Sequence, residues 1–246
     1  MKAIILAAGR GSRMKELTED RPKCLVPLAG KPLLDYQVAA LRGAGLDPLG
    51  VVCGWRREKL EGRGLTCFDN PRWAETNMVA SLACAGEWLR QGPCIVSYSD
   101  IFYLAPAVAA LAAAPGDVAI TFDPAWLGLW AKRFADPLAD AETFRRDPEG
   151  RVIEIGRRAA STSEIEGQYM GLLKFTPAGW SAAELAWQQL EPARRDKLDM
   201  TSLLRLLIES GTSVYGVPTP GPWGEADSAE DLALYERMIV RGELRL

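Results

Sequence analysis

Short apolar runs alternate along the chain with longer segments whose apolar residues recur at every third or fourth position. The apolar runs lie at residues 3–7, 49–53, 94–98 and 118–122. Segment 33–41 is typical of the stretches between them, and its spacing predicts an amphipathic helix. Alternating strands and helices predict an α/β fold with a doubly wound, mostly parallel, Rossmann-like sheet.

This alternation breaks at about 123–167, where aromatic residues are interleaved with Arg, Lys and Asp. Within that segment, Asp147-Pro148-Glu149-Gly150 predicts a β-turn between two short strands. Further along, the pattern recovers. It predicts strands at 170–175 and 213–217, and helices after Pro177, at about 200–209 and at about 228–239. We therefore expect a sheet that carries a short, irregular, β-containing insertion.

The first apolar run leads into a glycine-bearing loop, Gly9-Arg10-Gly11-Ser12-Arg13, and then into Arg21-Pro22-Lys23. The two glycines admit positive φ, so backbone N–H groups can turn toward an anion. The loop lacks the third glycine of a dinucleotide fingerprint, because Met14 stands there, and it lacks the Gly-Lys-Ser/Thr of a P-loop. Taken alone, it fits either an unusual phosphate loop or an ordinary turn after a strand.

The amino-acid composition limits the kinds of chemistry and the partners that we expect of the chain. The formal net charge of −3 offers no basic field for nucleic acid. The chain contains no histidine, which excludes imidazole bases and imidazole metal ligands. Its five cysteines form no Cys-x-x-Cys and are interpreted as reduced thiols. No run approaches 18 apolar residues and no signal peptide opens the chain, so we expect a cytoplasmic protein without a membrane partner.

The opening pattern resembles the nucleotidyltransferases that activate sugar phosphates and phosphocholine. It contains Leu-Ala-Ala-Gly-x-Gly-x-Arg-Met at 6–14, Pro-Lys at 22–23 and Gly-Lys-Pro at 30–32. The resemblance implies that Arg13 contacts the leaving β- and γ-phosphates and that Lys23 contacts the α-phosphate and the acceptor. It also implies a set of nucleotide-binding residues in the loop, namely Leu6, Ala8, Gly9, Gly11 and Ser12.

Two carboxylates are candidate magnesium ligands. Asp100 follows the 94–98 strand, and ligands of open α/β sheets bind at the carboxyl ends of strands. Asp227 precedes the last predicted helix. Each also has a structural interpretation, Asp100 as a cap or loop residue and Asp227 as an acid favoured at a helix N-terminus. In the family they resemble, both positions bind Mg²⁺, and Glu225 is a secondary candidate.

Segment 75–82 resembles the Asn-x-x-x-Ser-Leu element of phosphocholine and phosphonate cytidylyltransferases. The resemblance places Asn77 and Ser81 beside the base and favours CTP. An amphipathic helix with an asparagine cap explains the same residues.

The aromatic segment falls where this family binds its acceptor. Trp126 and Trp130 are four residues apart and share a helix face, so core packing is the alternative for either. By resemblance Trp130 faces a quaternary ammonium, an arrangement that stabilises a cation by about 0.5–2 kcal/mol.

Charged residues near this pair are further acceptor candidates. Lys132 and Arg133 suit a phosphonate or phosphate, whereas Asp140 and Glu142 suit an amino group. Structural salt bridges are the alternative for all four. Tyr169, in a segment similar to phosphonate cytidylyltransferases, is the remaining acceptor candidate.

Together these residues predict a Mg²⁺-dependent transfer of CMP from CTP to a small phosphonate or phosphocholine-like acceptor, with release of pyrophosphate. An ionised acceptor needs no general base, which agrees with the absence of histidine. We expect one domain over 1–246, with the nucleotide at about 1–122 and the acceptor at about 123–227, and a possible homodimer contact in the irregular segment. The alternatives are a sugar-1-phosphate nucleotidylyltransferase using UTP, dTTP or GTP, and a non-catalytic nucleotide-binding regulatory subunit.

Overall fold

A computed structural model describes residues 1–219 and 221–246. Its strands are β1 (Lys2–Ala7), β2 (Pro27–Leu28), β3 (Lys31–Pro32), β4 (Leu49–Cys53), β5 (Thr66–Asp69), β6 (Cys94–Tyr98), β7 (Ile101–Phe102), β8 (Val118–Asp123), β9 (Glu142–Arg146), β10 (Val152–Arg158), β11 (Gln168–Phe175), β12 (Val214–Pro218) and β13 (Gly224–Glu225). Its α-helices are α1 (Leu33–Gly43), α2 (Met78–Ala83), α3 (Gly86–Gln91), α4 (Ala105–Ala112), α5 (Trp126–Arg133), α6 (Pro177–Gln188), α7 (Pro192–Lys197), α8 (Met200–Glu209) and α9 (Ala229–Val240).

Seven strands form the central sheet in the order β12-β8-β11-β6-β1-β4-β5. Strand β1 pairs in parallel with β4 and β6, β4 with β5, and β8 with β12. Only β11 runs antiparallel to both of its neighbours within this sheet. The predicted mostly parallel, Rossmann-like sheet is confirmed.

Both faces of the sheet are buried, as a doubly wound fold requires. Along β1, Ala3 and Ile5 pack into a core that includes Leu41 of α1, whereas Ile4 and Leu6 pack into the core on the opposite face. The second core receives helices α2, α3, α6 and α8. Because successive side chains along a strand point to opposite faces of the sheet, each strand packs against two separate helix layers.

A two-stranded antiparallel sheet, β9–β10, stands beside the main sheet and confirms the predicted turn. The Arg151 backbone N–H donates to Asp147 Oδ1 at 2.7 Å, and Gly150 adopts a φ of 84°. Phe144 of β9 stacks on Phe122 of β8 with ring centroids 4.8 Å apart. We call this pair of strands the β9–β10 ribbon.

Two details differ from the predicted elements. The helix predicted after the Asn77 cap ends as α2 and is followed by a separate helix, α3, because the backbone leaves helical geometry at Ala85. The irregular segment contains a true helix, α5. Within residues 1–219 and 221–246, every helix falls short of the length or apolar character that a membrane span needs.

Candidate functional site

The glycine loop after β1 brings Arg13 and Lys23 to one point. Gly11 adopts left-handed φ and ψ of 69° and 46°. A β-carbon there would lie 2.8 Å from Cβ of Lys23, so only glycine leaves room for that side chain. Thr18 fixes the far end of the loop by donating its hydroxyl hydrogen to the Gly11 carbonyl at 3.1 Å.

A very short strand pair joins the two predicted metal carboxylates. Strand β7, directly after Asp100, pairs with β13, which ends two residues before Asp227. The Ala226 N–H donates to the Asp100 carbonyl at 2.8 Å. Gly224 permits this approach, because a β-carbon there would lie 2.5 Å from the Phe102 ring. Carboxylate oxygens of Asp100, Glu225 and Asp227 consequently lie within 4.8 Å of one another.

The two cations of the loop contact these carboxylates. Lys23 Nζ donates to Asp100 Oδ2 at 2.8 Å and also to Asp227 Oδ1. Arg13 Nη1 lies 2.9 Å from Asp227 Oδ2. Burial alone would lower the pKa of Lys23, but the two carboxylates outweigh it and raise that pKa above its usual value. Burial, followed by the charges of Asp227 and Asp100, raises the pKa of Glu225 to about 8.

The donor set fits a small, hard divalent cation. All three groups are carboxylates, the ligand type that Mg²⁺ accepts from proteins together with water and phosphate oxygens. Oδ1 of Asp100 is buried and has no hydrogen-bond partner in the described part of the chain. Such an oxygen is costly to bury unless a ligand satisfies it. We call Asp100, Glu225 and Asp227 the carboxylate cluster.

A buried arginine holds the loop that carries this cluster. The Arg133 side chain is 0% exposed, and its Nε and Nη1 atoms lie 2.9 Å from Asp231 Oδ1 and 3.2 Å from Glu225 Oε2. Asp231 Oδ2 in turn accepts the N–H of Asp227 at 3.0 Å and completes a capping box with Ser228 at the start of α9. The helix-cap interpretation of this segment is therefore correct, and Asp227 serves the cluster as well.

Three cavities lie around the glycine loop, and each contains predicted site residues; two of them are lined by members of the carboxylate cluster. The first, which we call the base cavity, has a volume of about 80 Å³. Five of the predicted nucleotide-binding residues line it: Leu6, Ala8, Gly9, Asn77 and Ser81. The second, which we call the phosphate cavity, has a volume of about 360 Å³. The loop, its cations and Asp100 line it: Gly11, Ser12, Arg13, Lys23 and Asp100. The third, of about 370 Å³, is named the acceptor cavity and contains Trp130, Tyr169 and Asp227.

Shared lining residues show that the three cavities adjoin one another. Met78 lines all three. Gly9 lies between the base and phosphate cavities, and Arg13, Tyr98 and Glu225 lie between the phosphate and acceptor cavities. A ligand can therefore extend from the loop to the far wall of the acceptor cavity.

In the base cavity, the polar side chains are also used for folding. Asn77 Oδ1 accepts the Met78 N–H at 2.8 Å, and its Nδ2 donates to the Lys197 carbonyl at 3.1 Å. Ser81 Oγ accepts a hydrogen bond from Asn70 Nδ2 at 3.0 Å. The cap interpretation of this element is correct, and the same residues form the wall that faces the cavity.

Trp130 reaches the acceptor cavity from a crowded position. It is 3% exposed, and its ring centroid lies 5.9 Å from that of Trp223. The Arg133 guanidinium carbon lies 5.0 Å from the ring centre. The indole N–H donates to Asp140 Oδ2 at 3.2 Å. Trp130 is thus both a core residue and a part of the cavity wall.

The two cations predicted for the acceptor are placed elsewhere. Lys132 is exposed and its Nζ lies 2.9 Å from Glu243 Oε2. Arg133 is enclosed by the carboxylates described above. Neither belongs to the cavity wall, so the salt-bridge interpretation describes both residues in this structure.

The cavity wall also includes Glu142, one of the predicted acceptor candidates, and Asp199, which no sequence pattern singled out. Glu142 begins β9, and Asp199 is the N-cap of α8. Asp199 Oδ1 accepts the Ser202 N–H at 2.7 Å. A helix cap is the only signal that the sequence offers at this position, and nothing local connects it with a ligand site.

Comparison with known proteins points the same way as this geometry. Residues 3–157 match the model of the MobA-like NTP transferase domain. A CTP:phosphoglutamine cytidylyltransferase of Campylobacter jejuni is 37% identical over 94% of this chain and 98% of its own length. A 2-aminoethylphosphonate cytidylyltransferase of Lancefieldella rimae is 27% identical over 67% of this chain and 64% of its own.

Among solved structures, the inositol-1-phosphate CTP transferase of T. maritima superposes with a TM-score of 0.76 at 18% identity, covering 100% of this chain and 98% of its own. At that identity the likeness concerns the fold, whereas the family match and the relative from Campylobacter jejuni establish kinship. The chain belongs to the family of MobA-like NTP transferase domains and is a nucleotidyltransferase.

Proposed function

We propose that this protein transfers CMP from CTP to a small phosphonate or phosphorylated acceptor and releases pyrophosphate. The observation that carries the proposal is that the base, phosphate and acceptor cavities adjoin one another, with the carboxylate cluster lining the phosphate and acceptor cavities. A nucleotidyl transfer needs the α-phosphate between its two substrates, and the cluster lies where the phosphate and acceptor cavities share walls.

Two observations support CTP as the donor. The base cavity is lined by Asn77 and Ser81, the two residues of the segment that resembles phosphocholine and phosphonate cytidylyltransferases. The relatives from Campylobacter jejuni and Lancefieldella rimae are both named as cytidylyltransferases. Asn77 and Ser81 then shape the wall beside the base, and backbone groups near Ala8 complete it.

The residues support an in-line displacement without a general base. A phosphate or phosphonate oxygen of the acceptor is ionised near neutral pH and attacks the α-phosphorus. The bond from the α-phosphorus to the bridging oxygen breaks, and pyrophosphate leaves with the electron pair. Lys23 neutralises charge on the α-phosphate and the acceptor, and Arg13 neutralises charge on the leaving phosphates.

Asp100 and Asp227, with Glu225 beside them, would hold Mg²⁺. The ion supplies charge neutralisation and orientation of phosphate oxygens. On the acceptor side we propose contacts from Trp130 and Tyr169. We leave out Lys132 and Arg133, because neither lines the cavity and the charged group of each is already paired with carboxylates.

Measurement of pyrophosphate release tests the proposal. CTP, UTP, GTP, ATP and dTTP are each combined with phosphocholine, 2-aminoethylphosphonate, 2-hydroxyethylphosphonate and hexose 1-phosphates, with and without Mg²⁺. We expect release only with CTP, only with Mg²⁺, and with a phosphonate or phosphocholine-like acceptor.

Other outcomes identify the alternatives. Release with a hexose 1-phosphate and UTP, dTTP or GTP indicates a sugar-1-phosphate nucleotidylyltransferase. Binding of a nucleotide without any release indicates a regulatory subunit. If no pair that contains CTP reacts, the proposed function is wrong.

A further inference from the structure

Charge is distributed unevenly along the acceptor cavity. At the end shared with the phosphate cavity, Arg13 stands with Glu225 and Asp227. The rest of the wall carries Asp140, Glu142 and Asp199, and no lysine or arginine among the described residues. A cavity end with three carboxylates and no cation attracts a positive group.

Glu142 is the wall residue whose charge is least satisfied. Its carboxylate has no hydrogen bond and no ion pair within residues 1–219 and 221–246. Arg205, whose charge lowers the pKa of Glu142, instead donates to the Gly156 carbonyl at 3.3 Å and to Ser202 Oγ at 3.2 Å. Burial raises the pKa of Glu142, and the charges of Asp199 and Asp140 raise it further. The ionised carboxylate of Glu142 is thus held in the wall at a cost in folding free energy.

Tyr169 gives an independent sign of a polar ligand at this end. Its hydroxyl oxygen is buried and has no hydrogen-bond partner in the described part of the chain. The ring lines the same cavity and packs edge-on against Tyr98, with centroids 5.7 Å apart. A buried hydroxyl without a partner is unusual in a folded protein unless a ligand or water completes it.

The aromatic wall is unsuited to a quaternary ammonium. Such a group binds over an open aromatic face. Trp130 is 3% exposed, and the guanidinium of Arg133 already lies against its ring at 5.0 Å. A second cation over Trp130 would be repelled by the first. A primary ammonium instead donates three hydrogen bonds and needs acceptors, which Glu142 and Asp199 supply.

We propose that the far end of the acceptor cavity binds a primary ammonium group of the acceptor through Glu142 and Asp199, with the Tyr169 hydroxyl beside them. The enzyme then selects phosphonates or phosphate monoesters that carry a primary amine over those with a trimethylammonium group or with no charge. This inference rests on the proposed function for the phosphonate or phosphate at the other end of the same ligand.

Three matched probes test the inference: 2-aminoethylphosphonate, its N-trimethyl analogue and ethylphosphonate. Their dissociation constants are measured by calorimetry, which does not depend on turnover. Hydrogen bonds to charged groups predict that the wild type binds 2-aminoethylphosphonate about 10- to 100-fold more tightly than ethylphosphonate. We expect the trimethyl analogue to bind more weakly than the primary amine.

Glu142→Gln and Asp199→Asn remove charge while keeping the shape of the side chain. Asn also keeps the cap of α8, because Asn and Asp are equally good N-caps. We expect both variants to lose most of the preference for the amine and to bind ethylphosphonate as the wild type does. Glu154→Gln is the matched control, because Glu154 lies on the same ribbon but outside the cavity wall.

Two results would overturn the inference. One is equal affinity of the wild type for ethylphosphonate, or for the trimethyl analogue, and 2-aminoethylphosphonate, which includes the case in which none of the probes binds. The other is an equal loss of affinity for all three probes in Glu142→Gln. Amine-selective binding without any reaction of CTP contradicts the proposed function and leaves this subsite in place, so the two failures are distinguishable.

Discussion

The base cavity and the acceptor cavity are built in different ways. The wall of the base cavity comes from two short stretches of chain, 6–9 and 73–81. The wall of the acceptor cavity combines side chains from α5, both strands of the β9–β10 ribbon, β11, the start of α8 and the segment around β13. One cavity follows from local backbone shape, whereas the other depends on how many distant segments pack.

The two regions also use charge differently. In the phosphate cavity, which adjoins the base cavity, Lys23 and Arg13 are paired with carboxylates that face the same space. In the acceptor part, Arg133 does not line the cavity and is paired with Asp231 and Glu225, whereas Glu142 lines the cavity unpaired. A charge that is unpaired inside a cavity is therefore a better sign of a ligand here than a charge that is merely close in sequence to residues of the cavity.

The largest effect that we expect separates the neighbouring residues Arg133 and Lys132. Arg133→Met leaves two carboxylates without their buried partner, and breaking a buried ion pair costs about 3–5 kcal/mol. Lys132→Met removes an exposed pair with little consequence. Urea unfolding of both variants measures the free energy of unfolding. Similar losses in the two would show that Arg133 does not hold the loop of the carboxylate cluster.

Lys23→Met tests whether the cation of the phosphate cavity serves chemistry. Loss of one preorganised donor lowers turnover about 10²- to 10³-fold. Because the ammonium competes for oxygens of Asp100 and Asp227, we also expect Mn²⁺ to bind more tightly to the free variant. Lys174→Met, which removes a buried lysine outside the site, is the control for turnover. A folded Lys23→Met enzyme with normal pyrophosphate release would contradict the assignment.

Gly11→Ala tests whether backbone shape controls the phosphate cavity. The new β-carbon crowds Lys23, and misplacement of a catalytic group lowers turnover on the order of ten- to a hundredfold. Gly62→Ala is the matched control, since Gly62 has a similar φ of 72° and open space around it. Both variants carry backbone strain, so their melting temperatures should fall together. Equal turnover in the two variants would show that the backbone shape at Gly11 does not control the phosphate cavity.

The smallest effect concerns the acceptor cavity and depends on pH. The folded-state pKa of Glu142 is raised by burial, so its ionisation opposes folding once the pH exceeds the value for the unfolded chain. We expect Glu142→Gln to raise the melting temperature at about pH 7.5 and to leave it nearly unchanged at about pH 3, where the group is protonated in both states. The opposite ordering would show that the carboxylate is stabilised by a partner.

Sequence predicted the phosphate cavity well because its signals are local. Glycines that need left-handed angles and a carboxylate at a strand end are visible within a few residues, as at Gly11 and Asp100. Asp227 reaches the cluster through the pairing of β7 with β13, only two residues long in each strand, and such pairing leaves no periodic pattern. There the family resemblance supplied what periodicity lacked.

The acceptor region shows why the rest of the site could not be predicted from the sequence. Arg133 meets Asp231 across a separation of 98 positions in the chain. No local feature distinguishes a buried structural cation from one that faces a ligand. Lys132 and Arg133 were predicted from their closeness to Trp130 in sequence, yet helical geometry turns successive side chains by about 100°, so neighbours along α5 face different surroundings.

The β9–β10 ribbon contributes Glu142, Thr143 and Phe144 to the acceptor cavity and nothing to the base cavity. It joins its neighbours largely through side-chain packing and isolated bridges, outside the hydrogen bonds of the seven-stranded sheet. Evolution can therefore revise this ribbon while the nucleotide machinery stays untouched. For the protein engineer, grafting a ribbon from a relative with another acceptor is the shortest route to a retargeted catalyst.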